Sequence, residues 1–263
     1  MKKIASFGVL LWLACTAALA AVQGKEVSYS ANGVTMRGWL AYDDAVKGKR
    51  PAVLVVHEWW GHNAYARKRA EMLAGLGYVA LALDMYGDGK QAHHPGDAGK
   101  FAGELAQNKP LARARFEAAM QLLRSQTNVD GGRLAAIGYC FGGTVVLEMA
   151  RAGEDLKAVA SFHGGLDTDT PAQAGKVKAR VMSFTGADDP LIPAAQVEAF
   201  KAEMDKAGVS YQAVVYPGAK HSFTNPDADE YGKKFNMPLA YSAEADKDSW
   251  AQTQVFLADA LQK

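Results

Sequence analysis

The chain has 263 residues, 49% of them apolar, 22% charged and 10% aromatic, with 26 Gly and 9 Pro. That balance excludes a disordered, collagen-like or disulfide-dense chain, and the length suffices to bury a sizeable core in a single α/β domain. Lys and Arg total 29 against 28 Asp and Glu, so no basic excess points to nucleic acid or to an anionic membrane surface.

Residues 1–20 read as a signal peptide. Lys2 and Lys3 form a basic n-region, Phe7 to Ala14 an apolar h-region, and Ala18-Leu19-Ala20 puts small residues where a signal peptidase reads. The apolar stretch is too short to span a bilayer. Lipoprotein processing at Cys15 is the alternative, but Trp12 and Leu13 suit that signal poorly. The expectation is an exported, periplasmic protein, one domain over 21–263, acting as a monomer with no membrane partner after cleavage.

The elements then alternate. Asn32-Gly33 predicts a turn ahead of a strand over Thr35 to Ala41, and Ala52 to His57 is an apolar β-branched run suited to a buried strand. A helix is predicted over Ala64 to Leu76, a strand over Tyr78 to Leu83, and a long Gly-, Asp- and His-rich loop over residues 85–100. Leu111 to Arg124 is helical, Arg133 to Tyr139 a strand, and Thr144 to Arg151 a helix. Strands over Ala158 to Phe162 and Arg180 to Thr185 precede a helix from Ala194 to Ala207. A last strand, Tyr211 to Tyr216, and a last helix, Ser242 to Leu261, complete the chain. Such alternation predicts an α/β fold with a mostly parallel central sheet and helices on both faces.

The chemistry starts at Gly138-Tyr139-Cys140-Phe141-Gly142-Gly143. This is G-x-C-x-G, the thiol form of the nucleophile elbow, set between a strand and a helix as that turn requires. Its tightness demands small residues two before and two after the nucleophile, where Gly138 and Gly142 stand. Cys140 then faces the positive end of a helix, which favours the thiolate, and the Phe141 N–H is available to an oxyanion. Of the two cysteines, Cys15 leaves with the signal peptide, so Cys140 has no disulfide partner in the mature chain.

Partners of such a nucleophile follow in the order acid, then histidine. Gly186-Ala187-Asp188-Asp189-Pro190 follows a strand, with Asp189 the chosen acid and Asp188 the runner-up. Among His57, His62, His93, His94, His163 and His221, only His221 lies downstream of Asp189, in a loop just after the last strand. Glu58, in His57-Glu58-Trp59-Trp60-Gly61, sits in the loop that completes an oxyanion hole in such folds. It is either a solvated loop acid or, beside a thiol, a base.

HEWWG, GYCFGG, GADDPLIP and GAKHSF together resemble the dienelactone hydrolase family of α/β-hydrolases, across almost all of the mature chain. The resemblance implies an eight-stranded core, a Cys140–Asp189–His221 triad, oxyanion N–H groups from Trp59 and Phe141, and Glu58 accepting the thiol proton when substrate arrives. It also implies a carboxymethylenebutenolidase-like hydrolysis of dienelactone that needs no metal or organic cofactor. The lactonase pattern holds its anionic substrate with two arginines, and here those positions are Asp88 and Asn225. The machinery therefore carries over and the substrate does not. Trp60, Tyr86, Phe223 and Asn225 are the candidate pocket residues.

The reading is a hydrolase of a small ester or lactone. Cys140 attacks the carbonyl, His221 protonates the leaving alkoxide, and water activated by His221 releases the thioester acyl-enzyme. A thiol-based redox sensor and a non-catalytic binding module on the same scaffold are the alternatives. His93-His94 lacks companion ligands at metal spacing and reads as a lid or pocket rim.

Overall fold

Strands β3 (Arg50–Val56), β4 (Val79–Leu83) and β6 (Ala158–Phe162), and the second half of β5 (Val129–Tyr139) from Leu134, carry buried, mainly apolar runs. Strands of this kind persist only when both faces are covered. In β3 alternate residues serve opposite cores: Leu54 and Val56 join one apolar cluster, Val53 and Val55 the other. The computed structural model describes residues 22–262. The proposed signal peptide and Cys15 lie outside the described residues.

The described sheet has eight strands in the order β1-β2-β4-β3-β5-β6-β7-β8. Here β1 is Val22–Ala31, β2 Val34–Asp43, β7 Arg180–Gly186 and β8 Tyr211–Tyr216. The first two strands pair antiparallel, β2 lies antiparallel to β4, and the remaining pairings are parallel. One face is covered by α2 (Pro95–Gln107), α3 (Lys109–Arg124), α4 (Phe141–Ala152) and α5 (Ala194–Ala207), which contribute Leu105, Phe116, Val145 and Phe200. The other is covered by α1 (Ala64–Gly75) and α7 (Ala243–Ala260), through Leu73 and Phe256. This is the α/β-hydrolase fold.

Strand order reverses at β3, which pairs with β4 on one side and β5 on the other. Loops leaving the carboxyl ends of adjacent strands diverge at such a point and leave a crevice. The segment after Val56 and the segment after Tyr139 border that crevice.

Three elements depart from the expectation. Strand β1 escapes the periodicity because it is an edge strand with mostly exposed residues; it closes a hairpin on Asn32 and Gly33, both at positive φ. The second half of the expected 85–100 loop is helical from Pro95. His94 caps that helix, its ring nitrogen accepting the Gly96 N–H over 3.1 Å, while Gly96, Gly99 and Gly103 mask the helical pattern. A further short helix, α6 (Ala228–Phe235), lies between β8 and α7.

Candidate active site

Cys140 is where β5 turns into α4, and its backbone sits at φ 52°, ψ −117°. That strained conformation persists only where its surroundings impose it. A Cβ on Gly138 would lie 2.0 Å from the Gly142 carbonyl oxygen, and one on Gly142 would lie 2.3 Å from that of Val56. The two glycines are therefore a steric condition of the turn. The half-buried thiol stands at the N-terminus of α4 beside Phe141, whose N–H has no intrahelical acceptor.

The next shell comes from β7 and β8. Asp189 follows β7 and His221 follows β8, and both are buried. Asp189 Oδ2 is 2.7 Å from His221 Nδ1, and His221 Nε2 is 3.1 Å from Cys140 Sγ. Asp189 Oδ1 accepts the Leu191 N–H over 2.9 Å, which fixes the carboxylate plane. Asp188 is exposed, and only its backbone N–H is engaged, by the Ala219 carbonyl. Burial opposes a charge on His221, but the Cys140 thiolate and the Asp189 carboxylate outweigh it and push the imidazole up to about 10.

Glu58 lies in the crevice, buried, but neither oxygen is bonded to Cys140. Oε1 accepts the Ser222 hydroxyl over 2.9 Å and Oε2 the Asn225 amide over 2.6 Å. Burial raises its carboxyl above the usual range, against the lowering effect of those two hydrogen bonds. Asn225 is thus a clamp on Glu58, with its amide already committed.

Tyr86 is buried and donates its hydroxyl to the Trp59 carbonyl over 3.0 Å, holding the Trp59–Trp60 peptide. Its own turn hangs on Asp84, whose Oδ1 accepts the N–H groups of Tyr86 and Gly87 at 2.9 and 2.8 Å. The Tyr86 and Phe141 rings are 5.5 Å apart. Trp60 is buried against Tyr231 and Phe235 in a small separate apolar cluster. Phe223 is a correction. Its ring is fully buried in the core among His163 and Tyr216, because Ser222 at φ 58° turns the chain inward. Asp88 is exposed beside Lys90, 4.0 Å away.

One neighbour carried no motif. The Cys140 N–H is shared between the Phe162 carbonyl at 2.9 Å and His163 Nδ1 at 3.1 Å, and the His163 Nε2–H donates to Thr224 Oγ1 over 2.8 Å. Thr224 Oγ1 also meets the Tyr65 hydroxyl at 2.6 Å. Burial, with His221 and Arg69 nearby, holds His163 well below its ordinary pKa, so it is a neutral imidazole with both nitrogens used. No sequence signal marks it: Tyr139 pairs with Phe162 in the sheet, which puts the next residues, Cys140 and His163, side by side. Among the described residues no group of three or more His, Cys, Asp or Glu side chains could hold a metal.

Comparison with known proteins places the chain in a family. Residues 36–261 match the model of the dienelactone hydrolase family. A dienelactone hydrolase-like promiscuous phosphotriesterase from metagenomic libraries superposes with a TM-score of 0.85 at 34% identity, covering 92% of this chain and 100% of that one. The structure named m3DLH gives 0.86 at 37% identity with the same two coverages, 92% and 100%. An Aquifex aeolicus (strain VF5) protein named as a carboxymethylenebutenolidase is 28% identical over 211 residues, 79% of this chain and 90% of that one.

Proposed function

Because the chain belongs to the dienelactone hydrolase family, we propose that it hydrolyses a small ester or lactone by acyl transfer through Cys140. The observation that carries this reading is the doubly bonded His221, 2.7 Å from Asp189 Oδ2 and 3.1 Å from Cys140 Sγ. Nucleophile, base and orienting acid then stand in series.

The Cys140 thiolate adds to the substrate carbonyl, and the developing oxyanion lies toward the N–H groups of Phe141 and Trp59. Collapse breaks the C–O bond, and the His221 imidazolium gives its proton to the leaving alkoxide. That leaves a neutral imidazole beside a thioester. His221 then takes a proton from water as the hydroxide adds to the thioester, and collapse releases the acid and restores the thiolate–imidazolium pair. Asp189 holds the ring in the tautomer that presents Nε2 to sulfur and stabilises the cation. Glu58, held by Ser222 and Asn225, would accept the thiol proton only after leaving those partners. With Asp88 and Asn225 where arginines hold an anionic dienelactone, the substrate class is a neutral ester or lactone.

A panel of aryl esters, enol lactones and ring lactones, run on wild type and on Cys140→Ala, tests the reading. Hydrolysis of a panel member that Cys140→Ala loses supports it. Hydrolysis that survives the substitution, or no hydrolysis by either protein, overturns it.

A further inference from the structure

We infer that the enzyme selects the acyl part of its ester through an apolar cavity beside Phe141, and that this cavity takes an uncharged aliphatic chain. The inference rests on the ester-hydrolase reading above and adds its substrate class.

The cavity, about 320 Å³, lies between α2, α3 and the first two turns of α4. Pockets that take small ligands begin near that size. Its α4 wall is formed by Phe141, Thr144, Val145 and Glu148, spaced i, i+3, i+4 and i+7, so one face of the helix lines it from the nucleophile outward. Phe141 is the residue after Cys140, and the N–H of Thr144 donates to the Cys140 carbonyl over 3.2 Å. The cavity therefore begins one residue along the chain from Cys140, which does not itself line it. The opposite wall is α2, with Ala102, Gly103 and Leu105.

Position decides which half of an ester goes there. The leaving alkoxide must lie against His221, which supplies its proton. Phe141 and Thr144 border the cavity on the α4 side of Cys140, whereas neither Cys140, nor His221, nor any residue of the segments 186–189 and 216–225 lines it. The leaving group thus occupies the histidine side of Cys140, and the chain attached to the carbonyl carbon runs past Phe141 into the cavity.

Charge decides the character of that chain. Lys109 is the one cation in the lining, and it is already paired with Glu148 at 2.7 Å and with Asp169. Glu148 and Asp167 also border the space, so an acyl chain ending in a carboxylate meets excess negative charge and no free cation. At roughly 30 Å³ for each water-sized group, the volume admits about ten such groups, and a chain of about six to eight carbons fills it with room to move.

The test uses p-nitrophenyl acyl esters from acetate to decanoate on wild type and Gly103→Leu. Gly103 suits this purpose because it is helical without a positive φ, and a Cβ built there meets nothing within 4 Å. Leucine also favours a helix over glycine, so the variant should fold, with its thermal unfolding midpoint as the check. In wild type, kcat/KM should climb by up to about fourfold per methylene as far as hexanoate or octanoate. Gly103→Leu, which puts four carbons into the cavity, should lower the octanoate-to-acetate ratio at least tenfold. A p-nitrophenyl half-ester of adipic acid should react at least tenfold more slowly than the hexanoate ester. A flat chain-length profile in wild type, or a ratio unmoved by Gly103→Leu in a folded variant, overturns the inference while Cys140-dependent acetate hydrolysis leaves the ester-hydrolase reading standing. Absence of any Cys140-dependent hydrolysis removes both.

Discussion

Asn225 Nδ2 donates to Glu58 Oε2 over 2.6 Å, and this bond, with the one from Ser222, occupies a buried carboxylate that would otherwise face the Cys140 crevice unsatisfied. A buried charged acceptor that loses one of two donors keeps most of its desolvation penalty. Asn225→Ala should therefore destabilise the fold by about 1–3 kcal/mol in urea unfolding, and Asn225→Asp, which sets a second carboxylate against Glu58, should cost more. Equal stability of wild type and both variants would show that Glu58 draws its satisfaction from elsewhere.

Asp189 and Asp188 are adjacent in sequence and opposite in setting. Asp189→Asn should lower turnover by about 10⁴, the scale of losing the orienting acid of a triad. Asp188→Asn should stay within a few-fold of wild type, since its side chain is exposed and bonded to nothing on His221. The reverse ranking in steady-state assays would reassign the acid.

The alkaline limb of the pH–rate profile should report His221. Its proton is held to about 10 by Cys140 and Asp189 against burial, and acylation needs that proton for the leaving group. For alkyl esters with poor leaving groups, kcat/KM should fall above about pH 10 in wild type. Asp189→Asn removes one of the two supports and should bring the limb to lower pH. An alkaline limb that Asp189→Asn leaves in place would separate it from His221.

Much of this site was open to reading before the fold was known, and the reasons are local. Gly138 and Gly142 are legible because the turn around Cys140 has no room for a Cβ, and β3 to β6 because a strand covered on both faces must be apolar throughout. His221 followed from chain order alone. What stayed hidden depends on tertiary context. Phe223 looks like a pocket aromatic beside the histidine, but the left-handed Ser222 sends it into the core. His163 has no motif, since its link to Cys140 arises from the register of β5 against β6. Helix α2 was obscured by three glycines, and the hairpin strand β1 by its exposed edge.

His163 should act as a positioning residue, because its Nδ1 shares the N–H of the strained nucleophile with the Phe162 carbonyl. His163→Phe removes that acceptor and the donor to Thr224. It should lower kcat about 10- to 100-fold with little change in KM, the range expected when a supporting contact of a reacting group is lost. His163→Asn, whose side-chain oxygen can accept in place of Nδ1, should recover part of the loss. A purely structural role would lower stability in both variants without separating their kcat values.

Three buried imidazoles set the acid limit of stability. Burial lowers His57 and His163, and burial with His57 and Arg67 beside it lowers His62 to about 3. Each is neutral when folded and takes a proton near 6.5 when unfolded, so its stabilising contribution is present above pH 6.5 and is lost as pH falls toward the folded value. Glu58, raised in the fold, opposes one of the three by binding a proton there above its ordinary value. Unfolding free energy should therefore fall below pH 6.5 by up to about 3 kcal/mol per pH unit. His62→Leu should flatten that slope by about one proton. A slope unchanged in that variant would remove His62 from the account.

Rapid-quench mass spectrometry with a p-nitrophenyl ester tests the acyl-transfer claim most directly. Mixing enzyme with excess ester and quenching in acid within the first turnovers should give a protein heavier by one acyl group. Proteolysis should place that mass on the peptide containing Cys140 as a thioester labile to hydroxylamine, and Cys140→Ala should carry none. Turnover of the same ester with no acyl mass on Cys140, or with the acyl group on another residue, would contradict the mechanism.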